Sequence, residues 1–118
     1  MNLQDVKEIL EAEIVTGSAL PDKEVKMVGA CDLMSDVLAF AKPGALLLTG
    51  LTNPQVVRTA EISEVEAICF VRGKVPNEET IKLAELKTVP LLRTHLSMFA
   101  SAGRLYEKGL PDCFEYEK

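Results

Sequence analysis

Three apolar runs of five residues recur at regular intervals in the middle of the chain, at residues 45–49, 67–71 and 89–93. Apolar runs without polar alternation are typical of strands that are buried on both faces, as in a parallel sheet. The segments between the runs carry helix signals, so the pattern predicts consecutive βαβαβ units. We therefore expect these strands to point the same way and their carboxyl ends to meet at one edge of the sheet.

Further elements are predicted on the amino-terminal side of these units. Apolar residues recur at helical spacing over residues 3–10, after Asn2 as the N-cap. Residues 13–17 and 25–30 have the character of strands, and residues 18–24 have the composition of a loop. These elements would extend the sheet beyond the three regular units.

Cap residues predict where the other helices begin. Asp32 is suited to cap a helix over residues 33–41, and Asn53 followed by Pro54 is a specific start signal for the helix after the first run. Pro76 marks the start of the next helix. Together the elements predict an α/β protein, a three-layer α/β/α domain with a mainly parallel sheet of four to five strands. All 118 residues are expected to form a single domain.

The last predicted helix begins at Thr94 as N-cap and carries apolar residues on one continuous face. That face comprises Leu96, Phe99, Ala100, Gly103 and Tyr106. Two interpretations stay open: the face packs on the sheet as core, or the small residues at 100–103, with Met98 and Phe99 nearby, form a contact between two copies of the chain. Residues 112–118 are predicted to be a charged tail.

Composition and charge narrow the classes of partner. A net charge of −5 and a pI near 4.9 argue against nucleic acid or an anionic membrane as the main partner. The sequence shows no secretory signal and no apolar stretch of bilayer length, so a cytoplasmic location is expected. The widely spaced Cys31, Cys69 and Cys113 form no C-x-x-C pair, so we expect reduced thiols, no metal site and no cofactor.

The carboxyl ends of the predicted parallel strands supply the candidate site, because ligands of open α/β sheets bind outside those ends. Helix N-termini predicted at Asn53, Pro76 and Thr94 would point free N–H groups toward the same edge, which suits an anion. We therefore predict a pocket for a small anionic or nucleotide-like ligand. Its candidate residues are Gly29, Cys31, Asp32, Thr49, Gly50, Asn53, Arg72, Gly73, Lys74, Thr94 and His95.

Each candidate also has a plainer interpretation. Arg72 and Lys74 could bind phosphate or be solvated loop charges. Cys31 could be an activated thiol or a small buried residue, and His95 could be a general base or a surface side chain. The sequence lacks a P-loop, a dinucleotide-binding glycine motif, a nucleophile elbow and an H-E-x-x-H motif. We therefore expect a non-catalytic protein, with a small enzyme using Cys31, Asp32 or His95 as the alternative.

Residues 32–39, the strand ends and residues 90–95 give the chain a resemblance to stand-alone DRTGG domains, which are similar to the N-terminal domain of HPr kinase/phosphorylase. The resemblance covers roughly residues 6–110 and rests on the order of the elements. The family takes its name from an Asp-Arg pair after one strand and a Thr-Gly-Gly after the next. The corresponding places here are residues 52–53 and 71–73, where only the last glycine matches.

The resemblance implies an accessory regulatory or ligand-sensing module. DRTGG domains accompany phosphotransacetylase and CBS-containing pyrophosphatases, where they help to form dimers, so the resemblance predicts a homodimer. Stand-alone copies resemble small proteins found beside iron-only hydrogenase genes, which gives an alternative: an accessory or maturation protein with a protein partner. The P-loop of HPr kinase belongs to its kinase part, which this chain lacks.

Overall fold

The computed structural model describes residues 1–17 and 20–114, in which five helices and five strands follow one another. In chain order these elements are α1 (Leu3–Ile9), β1 (Glu13–Ile14), β2 (Met27–Ala30), α2 (Met34–Phe40), β3 (Ala45–Thr49), α3 (Pro54–Ile62), β4 (Ala67–Phe70), α4 (Glu78–Leu86), β5 (Leu91–Arg93) and α5 (Met98–Glu107).

The described strands form one sheet of five strands in the order β1-β5-β4-β3-β2. Strands β2 to β5 are parallel neighbours, and β1 pairs antiparallel with β5 at one edge. Each βα unit adds its strand beside the previous one, so the carboxyl ends of β2 to β5 meet at a single edge. The predicted α/β fold with a mainly parallel sheet is therefore confirmed.

The sheet is buried on both faces, as the apolar runs predict. Alternate residues of β3 show this arrangement: Leu46 and Leu48 pack in one cluster with residues of α1 and α5, whereas Leu47 packs with residues of α2, α3 and α4 on the opposite face. Every residue of β3 and β4 is buried. Helices therefore cover both faces, which gives the three layers.

The starts of α3 and α4 agree with the sequence. Asn53 caps α3 by accepting a hydrogen bond from the Gln55 N–H (3.0 Å), and Pro54 is the first helical residue. Helix α4 begins close to Pro76, although Asn77 is its N-cap residue and makes no side-chain cap. Because both helices follow parallel strands, their N-termini lie at the carboxyl edge of the sheet.

Two cap predictions are wrong. Helix α2 has Leu33 at its N-cap and no side-chain cap, because the Asp32 carboxylate is bonded to the end of β3 instead. Helix α5 is capped by Ser97 rather than by Thr94, because the buried Thr94 hydroxyl donates to the carbonyl oxygen of Leu10 (2.6 Å). Both predicted caps thus make long-range contacts that a local pattern does not reveal.

Most of the apolar face predicted for the last helix does not form core, although its first residue, Leu96, packs against the core. Phe99 and Tyr106 are 89% and 71% exposed, and the buried side of α5 is carried by Ser101 and Leu105. For the rest of the face the core interpretation is wrong, because this short helix has two apolar stripes and the pattern does not say which one meets the sheet.

Residues 111–114 lie along β2, and we call them the C-terminal strap. The Val28 N–H donates to the Pro111 carbonyl (2.9 Å), and the Cys113 N–H donates to the Val28 carbonyl (2.9 Å). An uncovered edge strand would expose a row of unpaired N–H and C=O groups. The strap therefore closes the edge of the sheet that lies opposite β1.

The charged tail predicted from residue 112 onward is wrong for the strap, because that part pairs with the sheet. Residues 115–118 of the tail, and residues 18–19 of the predicted loop, lie outside the described residues. The strands predicted at residues 13–17 and 25–30 are present in shorter form as β1 and β2.

Candidate functional site

A cavity of about 320 Å³ opens at the carboxyl edge of the sheet, and we call it the carboxyl-edge cavity. Three of its lining residues belong to the predicted site: Asp32 after β2, Gly50 after β3 and Arg72 after β4. Loops from three neighbouring parallel strands thus meet there, as the topology predicts. Four lining residues were not among the sequence candidates: Val71, Ser97, Met98 and Phe99.

Asp32 is held at the cavity by the end of β3. Its Oδ1 accepts hydrogen bonds from Thr49 Oγ1 (2.9 Å) and from the backbone N–H of Gly50 (2.8 Å). Thr49 Oγ1 in turn accepts from the N–H of Leu51 (3.2 Å). Because both of these donors use Oδ1, the second carboxylate oxygen is left as an acceptor for a hydroxyl or amino group of a ligand.

Arg72 reaches the cavity from a tight turn after β4. The φ angles of Arg72 and Gly73 are 56° and 67°, both in the left-handed region. The Arg72 N–H donates to the Leu96 carbonyl (2.7 Å), and the Gly73 N–H donates to the Thr94 carbonyl (2.8 Å). Among the described residues the guanidinium of Arg72 has no partner. A fixed backbone therefore presents an unpaired cation at the cavity.

The backbone of Arg72 is unusual in this fold. The other described non-glycine residues with positive φ, Glu11, Glu64 and Thr88, each come two residues after the end of a helix. The left-handed conformation is the common way to stop a helix at that position. Arg72 follows a strand and ends no helix, so tertiary contacts stabilise its strained backbone. Strained backbone of this kind is found often at functional sites.

The start of α5 forms another wall of the cavity. Ser97 Oγ accepts from the Ala100 N–H (3.1 Å), which satisfies one donor of the first turn. The N–H groups of Met98 and Phe99 belong to the same turn, and the positive end of the helix dipole lies there. These residues are not among the predicted site residues, because Thr94 offers an equally good cap signal three positions earlier.

The remaining predicted site residues do not line the cavity. Thr49 and Thr94 are buried and hydrogen bonded within the fold, Gly73 lies in the turn that follows Arg72, and Gly29 is buried beneath the C-terminal strap. The other four are half-buried or exposed: Cys31, Asn53, Lys74 and His95.

The residues of the enzyme alternative do not meet at this cavity. Of Cys31, Asp32 and His95, only Asp32 lines it. The Cys31 thiol donates to the Leu33 carbonyl and accepts from the Leu33 N–H, both at 3.3 Å, so its hydrogen bonds are to backbone. The hydrogen bonds of the Cys31 thiol therefore pair it with neither Asp32 nor His95, which a nucleophile–base arrangement would require.

The three thiols are expected to differ in reactivity. Burial raises the pKa of the Cys69 thiol to about 12 and that of Cys113 to about 11, from 9.0. At a pH of about 8, alkylation counted by mass spectrometry should modify Cys31 first in the folded protein, and all three thiols in denaturant. Alkylation of Cys69 at the rate of Cys31 would contradict this burial.

The same thiols make stability depend on pH. In the unfolded chain they ionise near pH 9, whereas the buried thiols keep their protons up to their raised pKa values. The folded state then binds more protons, so the free energy of unfolding should fall as pH rises above about 9, and the thiols should have no effect well below that value. Urea titrations across this range measure the change.

Two further features are absent from residues 1–17 and 20–114. No three His, Cys, Asp or Glu side chains of this part come together as a group that could hold a metal ion. No helix within the same ranges has both the length and the apolar character needed to cross a bilayer.

Known proteins share this fold. The DRTGG domain family matches residues 5–107. A similar solved structure contains the CBS and DRTGG domains of the regulatory region of Clostridium perfringens pyrophosphatase, complexed with its activator diadenosine tetraphosphate. The TM-score is 0.67 at 18% identity, over 93% of this chain and 47% of that one, so this chain spans about half of that structure. No curated protein sequence matches.

Proposed function

Because the chain belongs to the DRTGG domain family, we propose that it is a cytoplasmic regulatory domain that senses a small anionic or nucleotide-like ligand and catalyses no reaction. The solved relative supports this proposal, since it is a regulatory region in complex with a dinucleotide activator. In this proposal the 118 residues act as one domain, which passes the presence of the ligand to a protein partner.

The observation that carries the proposal is the guanidinium of Arg72, which has no partner among the described residues and lies beside the start of α5 in one cavity. Arginine binds phosphate through two parallel hydrogen bonds, and a helix N-terminus adds donors and positive potential. Asp32 on another wall accepts hydrogen bonds, so it favours a neutral donor group of the ligand beside the phosphates, such as a sugar hydroxyl. A nucleotide combines both kinds of group.

Replacing Arg72 by asparagine tests this assignment. Asparagine removes the cation but tolerates the left-handed backbone of the turn. We expect the affinity for nucleoside triphosphates and for tripolyphosphate to fall roughly 10- to 100-fold, because a hydrogen bond to a charged group contributes about 1.5–3 kcal/mol. Isothermal titration calorimetry measures both affinities.

Lys74→Asn is the matched control, since it removes the same charge from the same loop but at a residue that does not line the cavity. Its effect should stay below about threefold, the size expected of a screened surface charge. Equal losses in the two variants would mean that only the net charge of the loop matters. Wild-type protein that binds no phosphate compound would contradict the proposal.

We also propose that the chain forms a homodimer. The layer of α2, α3 and α4 exposes Leu38, Ile62 and Leu86, which a second copy would cover. We place the contact here because the alternative face, at residues 100–103, borders the groove described below. Light scattering after size-exclusion chromatography should give about twice 12.9 kDa, and Leu86→Ser should lower that mass. A wild-type mass of 12.9 kDa at micromolar concentration would contradict the proposed dimer.

A further inference from the structure

A second cavity lies between α5 and the C-terminal strap, and we call it the α5 groove. Its volume is about 350 Å³. Phe99 lines both this groove and the carboxyl-edge cavity, so the two spaces meet at one side chain. Most of the groove is apolar or aromatic, and its lining residues are Val28, Ala30, Phe99, Ala102, Gly103, Tyr106, Asp112 and Phe114.

Three aromatic rings border the groove: Phe99, Tyr106 and Phe114. Phe99 and Tyr106 lie seven residues apart on α5, which is about 10 Å along a helix. Between them Gly103 leaves open space, since a Cβ added there would meet no atom within 4 Å. A gap edged by aromatic rings suits a flat aromatic ligand, which can stack on them.

Among the described residues that line the groove, one is charged: Asp112. It lies opposite Val28 in a parallel bridge to β2, and its Oδ1 accepts from the Phe114 N–H (2.9 Å). The other carboxylate oxygen can accept from a ligand. A carboxylate accepts hydrogen bonds and repels phosphate, so this end favours a neutral group with N–H donors. None of these described lining residues is basic.

From this arrangement we propose that the α5 groove binds the base of a purine nucleotide, with the phosphates in the carboxyl-edge cavity at Arg72. Phe99 stands at the junction of the two parts. The larger ring system of a purine uses the aromatic walls more fully than a pyrimidine, and its amino or ring N–H groups can donate to Asp112. This inference rests on the proposed function and adds the class of base.

Gly103→Leu is the deciding variant. Leucine would project into open space, and it is a better helix former than glycine, so the variant should fold. In the wild type, ATP or GTP should bind at least about tenfold more tightly than tripolyphosphate, because base stacking adds affinity. In Gly103→Leu this difference should disappear, while the affinity for tripolyphosphate stays unchanged.

The Asp112→Asn variant tests the proposed hydrogen bond between the base and Asp112. Asparagine can keep the hydrogen bond from the Phe114 N–H but loses the charge of the carboxylate. We expect the affinity for ATP or GTP to fall about 3- to 10-fold, because a hydrogen bond to a charged acceptor is weakened, with no loss for tripolyphosphate. Calorimetry with the same compounds gives both values.

The outcomes separate the two proposals. If tripolyphosphate binds as tightly as the purine nucleotides, or if Gly103→Leu keeps their difference, the base site is overturned, and the effect of Arg72→Asn still decides the phosphate site. If neither compound binds the wild type, both proposals fail together. If Gly103→Leu changes the mass in light scattering and leaves nucleotide affinity unchanged, the groove belongs to a second copy and the base site is overturned.

Discussion

Replacing Gly29 by alanine should lower the free energy of unfolding by about 2–3 kcal/mol. An added Cβ would lie 2.4 Å from the Sγ of Cys113 and 2.9 Å from the ring of Phe114. Both atoms belong to the C-terminal strap, so either the strap must leave β2 or the strand must shift. Urea unfolding followed by circular dichroism measures the loss.

Gly103→Ala is the matched control for that change. A Cβ there meets nothing within 4 Å, and alanine is the better helix former, so stability should rise by up to about 1 kcal/mol. Adding Cys113→Ala to the Gly29 variant should cost less than the sum of the two single changes, because it removes the nearest clash. If Gly29→Ala leaves stability unchanged but weakens ligand binding, Gly29 belongs to the site and not to the strap contact.

Thr94→Val should cost about 2–3 kcal/mol of stability, although it keeps the shape of the side chain. The Thr94 hydroxyl donates to the Leu10 carbonyl (2.6 Å) and accepts from the Leu96 N–H (3.2 Å). Valine leaves the buried Leu10 carbonyl and the half-buried Leu96 N–H without this partner. Because these contacts join the end of β5 to the end of α1, thermal unfolding should begin at a lower temperature.

Thr59→Val is the matched control, because Thr59 is as buried as Thr94 but its substitution should not lower the free energy of unfolding. The Thr59 side chain is fully buried, and its hydroxyl has no hydrogen-bond partner among the described residues. Removing an unpaired buried hydroxyl should leave stability unchanged or raise it by about 1 kcal/mol. If both valine variants cost the same, the hydrogen bonds of Thr94 contribute nothing, and the account of its role is wrong.

The parallel sheet could be predicted because its cause is local. A strand covered by helices on both faces must be apolar at every position, and the runs in β3 and β4 show this directly. The start of α3 was also predictable, since Asn53 and Pro54 act within one turn of the helix. These signals depend only on neighbouring residues.

The wrong predictions involve contacts between distant parts of the chain. Asp32 is one example. An aspartate before a helix is an ordinary cap, and only the position of β3 explains why the Asp32 carboxylate bonds to the end of that strand instead. Likewise, Thr94 and Ser97 are equally good caps in the sequence, and the Leu10 carbonyl decides between them. The C-terminal strap was not predicted for the same reason, because its contact with β2 is long-range and the strap has no periodic pattern of its own.

The sequence predicted where the candidate site lies but not all of the residues that line it. Topology alone places Asp32, Gly50 and Arg72 at one edge, and these three line the cavity. The contribution of α5 depends on where that helix starts, and the exposure of Phe99 depends on which of its two apolar stripes meets the sheet. Both are set by packing and not by periodicity.

The central claim is that a phosphate-bearing ligand binds at the carboxyl edge of the sheet. The most direct measurement is a titration of ¹⁵N-labelled protein with ATP, followed by the backbone amide signals in NMR spectra. The account predicts that the amides that move most are those of Asp32, Gly50, Arg72, Gly73, Met98 and Phe99. A separate cavity is lined by residues 16–17, 20–21, 84–85 and 88–90. Signals that do not move, or that move only at this other cavity, would contradict the claim.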